Sequence, residues 1–231
     1  MAKNIAQIDS ELAIGAIAKA SQDNPLILDF DETLLLRNST AEYIDNLRPR
    51  WLGFILVMLL KVVRPWHWLP QPLGGEKTKD WYLVVVPTLL LPWTLLLWQS
   101  KAEELAQEYS NTEIITAVNS NPHAKVIIAS LGFKFAIAPI LKHIPIKYGS
   151  LVGCGFWQGA GDRNKGKLNM MQEVLSESEL KSAILITDSL DDLPLLEIVK
   201  QPCLALWSSA KYINPFQDLW LYQLFTRLKQ I

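Results

Sequence analysis

Short, wholly apolar runs alternate along the chain with polar turns, and two much longer apolar stretches lie between the first and second of these runs. The short runs are Leu26-Ile27-Leu28, Val126-Ile127-Ile128-Ala129, Ala183-Ile184-Leu185-Ile186 and Leu204-Ala205-Leu206-Trp207. A continuous apolar run of this length between turn residues reads as a strand buried on both faces, as in a parallel sheet. A further strand is expected over residues 148–154. Elsewhere the apolar positions fall at helical spacing. Ile5, Ile8, Leu12 and Ala16 predict a helix capped by Asp9 or Ser10 and running to about Ala20. Leu105, Tyr109, Ile114, Ile115 and Val118 predict another over residues 101–118, broken near Asn111. A third covers residues 133–144 with Pro139 in its path. A fourth opens at Lys165-Gly166-Lys167 and runs through Leu168, Met171 and Val174 to near Glu179. A last one is capped by Asn214 and Pro215 and turns Leu219, Leu221, Tyr222 and Phe225 to the sheet. The Gly-rich polar stretch 156–164 reads as a loop. Strands alternating with helices predict an α/β fold, a three-layer Rossmann-like parallel sheet with right-handed crossovers.

The two long runs, 51–63 (WLGFILVMLLKVV) and 82–98 (YLVVVPTLLLPWTLLLW), set residues 35–119 apart as an inserted, apolar helical cap on a core formed by 1–34 and 120–231. Six of the nine tryptophans lie there: Trp51, Trp66, Trp68, Trp81, Trp93 and Trp98. As a helix, the second run would cover roughly 25 Å against the ~30 Å of a bilayer's hydrocarbon. Pro87 and Pro92 interrupt it, so a simple spanning helix does not fit. Tryptophans at the ends, with Arg48, Arg50, Lys61, Arg64, Lys77, Lys79 and Lys101 nearby, predict a helical hairpin associated with one leaflet of a membrane from the cytoplasmic side. The alternative is a water-soluble cap whose apolar faces pack on each other or across a dimer.

Composition narrows the classes. Lys and Arg number 22 against 23 acidic residues, and no basic run stands out, which argues against nucleic acid as a partner. The two cysteines, Cys154 and Cys203, have no metal-like spacing and fit buried thiols in a reducing compartment. Acids among the first residues predict no export signal and a cytoplasmic location.

The candidate chemistry sits at the strand ends. The first strand runs into Asp29-Phe30-Asp31-Glu32-Thr33, the next into Ser130, and a later one into Asp188-Ser189-Leu190-Asp191-Asp192. Two carboxylates separated by one residue at a strand end point the same way, and taking both from water is costly unless a cation meets them. Parallel strands bring such ends to one edge of the sheet. Each residue alone has a plainer reading: Asp188 and Asp192 as helix-start acids, Ser130 as a cap, and Lys165 or Lys167 as a solvated lysine.

The order Asp-x-Asp-x-Thr, Ser, Lys, Asp-Ser-x-Asp-Asp resembles motifs I to IV of the haloacid dehalogenase-like (HAD) hydrolases. That resemblance implies a Mg2+-dependent phosphatase forming an aspartyl-phosphate. It gives Asp29 the role of nucleophile and Asp31 that of the acid that protonates the leaving oxygen and then activates water. Thr33 and Ser130 become phosphate-holding hydroxyls, and Lys167, in preference to Lys165, the clamp lysine. Asp29, the Asp31 carbonyl, Asp188 and Asp192 become the magnesium site. Glu32 and Thr187 depart from the common pattern, since Gly is frequent at both positions. His67, His123 and His143 are not placed to act as ligands. The apolar cap suggests a substrate with a lipid portion, such as a prenyl phosphate. A soluble small phosphomonoester, or a non-enzymatic membrane-attached scaffold, are the alternatives.

Overall fold

In the computed structural model, which describes residues 7–228 except for the side chains of residues 224, 225, 227 and 228, six strands form one parallel sheet. They are β1 (Gln7–Ile8), β2 (Leu26–Asp29), β3 (Val126–Phe133), β4 (Ser150–Cys154), β5 (Ile184–Thr187) and β6 (Gln201–Ala205), in the spatial order β1-β6-β5-β2-β3-β4. From β2 the chain moves outward through β3 to β4, then returns to β5 and β6 on the other side. The order therefore reverses at the carboxyl end of β2, which is where open parallel sheets place their ligands.

Every residue of β2 and of β5 is buried. Because successive side chains point to opposite faces, both faces of the sheet centre are covered. The covering helices are α1 (Ser10–Ile17), α2 (Ser39–Asp45), α3 (Arg50–Val63), α4 (Pro65–Trp68), α5 (Lys79–Leu90), α6 (Thr94–Tyr109), α7 (Thr112–Asn119), α8 (Lys134–Leu141), α9 (Gly159–Gln172), α10 (Glu177–Ser182), α11 (Leu193–Leu196) and α12 (Trp220–Leu228). Helix α1 packs on β5, β6 and α7, whereas α8 and α9 both pack on β3 and β4.

Several elements differ from the sequence reading. Ile8 lies in a short edge strand, in register with Ala205, outside the helix, which is capped by Asp9 as expected and ends at Ile17. Leu12 is consequently exposed, and Ile5 lies outside the described residues. Of the polar stretch 156–164 expected as a loop, residues 156–158 are turn and 159–164 form the first part of α9. There Arg163 binds the carbonyls of Lys77 and Leu131 and the carboxylate of Asp80, long-range partners that local composition cannot reveal. The same helix stops at Gln172, and α10 starts afresh from a capping box between Ser176 and Glu179. Strand β3 continues past Ser130 to Phe133, and β6 starts and ends earlier than residues 204–207. The last helix opens at Trp220 rather than beside Pro215, and the side chain of Phe225 lies outside those described.

The long apolar runs become α3, α5 and the start of α6, with a break at Leu91, where the backbone leaves helical geometry just before Pro92. Among the described residues no helix is long and apolar enough to cross a membrane. Inner faces of these helices join the core. Phe54 meets Phe216 and Tyr222 edge-on, and the buried Trp98 donates its indole N–H to the Ala136 carbonyl at 2.9 Å. Asn111 caps α7 and also holds the Thr33 carbonyl, which ties this region to the β2 turn.

Candidate active site

Register fixes which residues meet. Asp29 pairs with Ala129 of β3, and Leu28 with Ile186 of β5. One residue further along, Ser130 and Thr187 flank the β2 tip, and Asp188 follows. Asp29, Ser130 and Asp188, with the α9 residues Arg163 and Lys167, line a cavity of about 300 Å3 whose walls also include Asp31, Glu32, Asn38, Asp80, Asp191 and Asp192.

Lys167 reaches this cavity because of Gly166. That residue breaks α9 with φ 79°, ψ 165°, a left-handed conformation that glycine adopts without a Cβ penalty. The helix restarts at Lys167 with its side chain turned inward, 6% exposed, while Lys165 stays outside on Glu173. Lys167 Nζ donates to Asp29 Oδ1 at 2.8 Å and to Asp192 Oδ2 at 2.6 Å. The Phe30 N–H also serves Asp29 Oδ1 at 2.8 Å. Thr187 Oγ1 lies 3.0 Å from Asp29 Oδ2 and 2.6 Å from Asp192 Oδ2, and its single proton can serve one of them at a time.

Asp31 is held from two sides, by the Ser39 N–H at 2.5 Å and by the Ser130 hydroxyl at 2.8 Å. Ser130 in turn accepts the Gly132 N–H at 2.7 Å. A Cβ on Gly132 would come within 2.9 Å of Asp31 Oδ2 and 3.0 Å of Ser130 Oγ, so this glycine is required by close approach. Thr33, expected to hold phosphate, is fully buried and gives its hydroxyl to Asp188 Oδ1 at 3.1 Å. It steadies a carboxylate and does not line the cavity. Glu32 stands at φ 59°, which explains physically why glycine suits the position.

Charge dominates the site. Burial pushes the Asp29 carboxyl up from 3.8 to about 7, with the Lys167 ammonium pulling it down and the Asp192 and Asp188 charges pushing it up. Burial also works against the Lys167 ammonium, yet Asp29 and Asp192 hold its pKa above the usual lysine value. The two groups thus pull in opposite senses as an ion pair. The ammonium, with two carboxylates in contact, is the settled charge, and burial first, then the neighbouring acids, hold the Asp29 carboxyl high. Asp188 and Glu32 are raised as well, in both cases chiefly by burial.

A surplus of buried carboxylate calls for a cation, and the donor set tests which kind. Only oxygen atoms are offered, which suits a hard divalent ion. Among the described residues no three His, Cys, Asp or Glu side chains form a ready-made cage. A small ion here would take the carboxylates of Asp29 and Asp188 and complete its shell with a main-chain oxygen and water, as magnesium-sized ions commonly do. Asp192 is committed to Lys167 and Thr187, and so acts on the site through them. Sequence reasoning missed Gly132, the Ser39 N–H and Arg163. None carries a local signal, because each is recruited by backbone that approaches from elsewhere in the fold.

Comparison with known proteins agrees with this geometry. A family model described as haloacid dehalogenase-like hydrolase matches residues 26–197, most of the chain. No curated protein matches the sequence. Among solved structures, a protein of unknown function from Bordetella pertussis Tohama I superposes with a TM-score of 0.51 at 16% identity, covering 90% of this chain and 97% of its own. A HAD family hydrolase from Salmonella enterica subsp. enterica serovar Typhi reaches a TM-score of 0.45 at 10% identity, covering 79% of this chain and 62% of its own. At such identities the first of these likenesses concerns the fold alone, and the second adds no argument.

Proposed function

The chain belongs to the haloacid dehalogenase-like hydrolases, and from that premise we propose that it is a Mg2+-dependent phosphomonoester hydrolase working through an aspartyl-phosphate. The observation that carries this reading is the convergence of Asp29, Asp31, Ser130, Lys167 and Asp188 on one cavity at the switch point of the sheet. Asp29 attacks phosphorus with a carboxylate oxygen, and the bond to the ester oxygen breaks. Asp31, aligned by Ser39 and Ser130, gives the departing oxygen a proton. Asp31, now ionised, takes a proton from water, which attacks the phosphorus, frees the Asp29 carboxylate and releases inorganic phosphate. Lys167 balances charge on Asp29 and the phosphoryl oxygens throughout, and Ser130 and the β2 turn hold that group in place. Magnesium, held by Asp29, Asp188 and the Asp31 carbonyl, would supply the remaining positive charge for a phosphate dianion.

A lipid portion on the substrate is the finer reading. From the catalytic cavity a second recess of about 170 Å3 continues past Asn38, Thr40 and Asp80, which line both, and runs between α3 and α5 beside Val57, Leu83, Ile44 and Lys61. Its lining is mostly polar, with Lys61 and Lys79 as the basic members and Val57 and Leu83 among the apolar ones, so the lipid portion rests on the apolar insertion and this recess contributes the cations that suit a phosphate. Hydrolysis of prenyl and glyceryl phosphates, set against sugar phosphates, tests this refinement, and preference for the sugar phosphates would replace it with a soluble metabolite. The reaction itself is tested by Asp29→Asn. Release of phosphate from an aryl phosphate should fall to background, and retained activity would remove Asp29 from the nucleophile's role.

A further inference from the structure

The insertion exposes apolar side chains that the fold does not use. Of the twenty-two large hydrophobic residues exposed among the described residues, thirteen lie between Trp51 and Leu97. Helix α3 shows the pattern most clearly. Its inner face, with Gly53, Phe54 and Val57, is buried against the core. The opposite face carries Trp51, Ile55, Leu59 and Val62 at helical spacing, with exposures of 52%, 46%, 56% and 72%. Trp93, at the corner between α5 and α6, donates its indole N–H to the Arg48 carbonyl at 2.6 Å. That bond ties the corner, with Leu96 at 76% exposure, to the residues just ahead of α3.

Charge says what could cover this surface. Between residues 48 and 101 there are seven Lys or Arg against two Asp or Glu, in a chain whose formal charge is −1. Even without Arg50, which pairs with Asp45 and Asp218, and Lys101, which pairs with Glu104, the surplus stands as Arg48, Lys61, Arg64, Lys77 and Lys79 against Glu76 and Asp80. A second copy would bring an equally cationic face against this one, whereas an anionic lipid surface would complement it. Apolar side chains with tryptophans at their ends and basic residues around them are what a helix lying in the plane of a membrane interface requires. We infer that the outer face of α3 and the Trp93 corner form a docking surface for an anionic bilayer, entered by Trp51 and Leu96 and not spanned by any helix of the hairpin. This docking is independent of the hydrolase chemistry.

The test is flotation of the full chain with vesicles of phosphatidylcholine containing phosphatidylglycerol, in parallel with phosphatidylcholine alone. The protein should float with the anionic vesicles only, and release as salt rises and shortens the screening length. The double variant Trp51→Ser, Leu96→Ser changes exposed positions, so its melting point and aryl phosphatase activity should stay as in the parent. Its partition into anionic vesicles should drop roughly tenfold. Failure to float, equal binding to neutral vesicles, or unchanged binding of the double variant would each overturn the inference. So would a dimer in light scattering that the double variant dissolves, because the face would then belong to a second copy.

Discussion

Replacing Lys167 by methionine keeps the length of the side chain and deletes its charge. In the parent the ammonium is buried and touches Asp29 at 2.8 Å and Asp192 at 2.6 Å, with those residues 5% and 2% exposed. Without it, Asp29 keeps the Phe30 N–H, and the two buried carboxylates compete for the single proton of the Thr187 hydroxyl. Removing one partner from a buried ion pair typically costs about 3–5 kcal/mol. For a domain of this size that lowers the melting temperature on the order of 6–20 °C. The loss should depend on pH, and its sign follows from Asp29. Its carboxyl already sits at about 7, above the unfolded value, and loses its cationic partner in the variant. A carboxyl raised on folding contributes stability at low pH that disappears as pH rises through and beyond its unfolded pKa. The deficit should therefore be small near pH 4 and full at neutrality. Urea melts followed by circular dichroism at both pH values measure it, with Lys165→Met as control because Lys165 is half-exposed and pairs with the exposed Glu173. A deficit as large at pH 4 as at pH 7, or equal effects of the two lysine substitutions, would refute the claim that the Lys167 ammonium neutralises Asp29 and Asp192.

Other outcomes follow from the same geometry. Gly132→Ala should lower turnover of an aryl phosphate by up to about a hundredfold with little change in melting temperature, since the new methyl displaces Asp31 and Ser130 by fractions of an ångström. Kinetics and melting of the one variant check both halves. Glu42 is 6% exposed and raised chiefly by burial, with Lys101 and Arg37 drawing it back, so its ionisation opposes folding as pH rises. Glu42→Gln should be more stable than the parent at pH 8 and no more stable at pH 4, read from urea midpoints. Chelation by EDTA should abolish phosphate release, and magnesium at about a hundred times its dissociation constant should add about 2.7 kcal/mol to the parent's stability. Asp188→Asn should blunt that response, and a chelated enzyme of undiminished rate would dismiss the metal.

Much of the architecture could be read without coordinates. Apolar runs of three or four residues appear as buried strands because a parallel sheet covered on both faces leaves no polar position within them, and residues 26–28 and 184–186 are of that kind, each running into a polar tip. Elements that owe their form to distant partners were not legible. The stretch ahead of Lys165 has loop-like composition, yet folds as helix because Arg163 finds Asp80 and two carbonyls across the structure. Ile8 continues a helical apolar pattern, yet forms an edge strand because β6 offers it an unpaired backbone.

The site divides in the same way. Strand ends and their order along the chain belong to the sequence, because an apolar run that stops at a carboxylate marks its own edge of the sheet. The backbone break at Gly166 chose Lys167 over Lys165 as the inward ammonium. Burial of Thr33 turned a hydroxyl expected on phosphate toward Asp188, and close packing at Gly132 shaped the pocket around Asp31. Spacing along a chain can bring acids to one edge, whereas the distances that let one ammonium serve two of them arise only when separate elements pack.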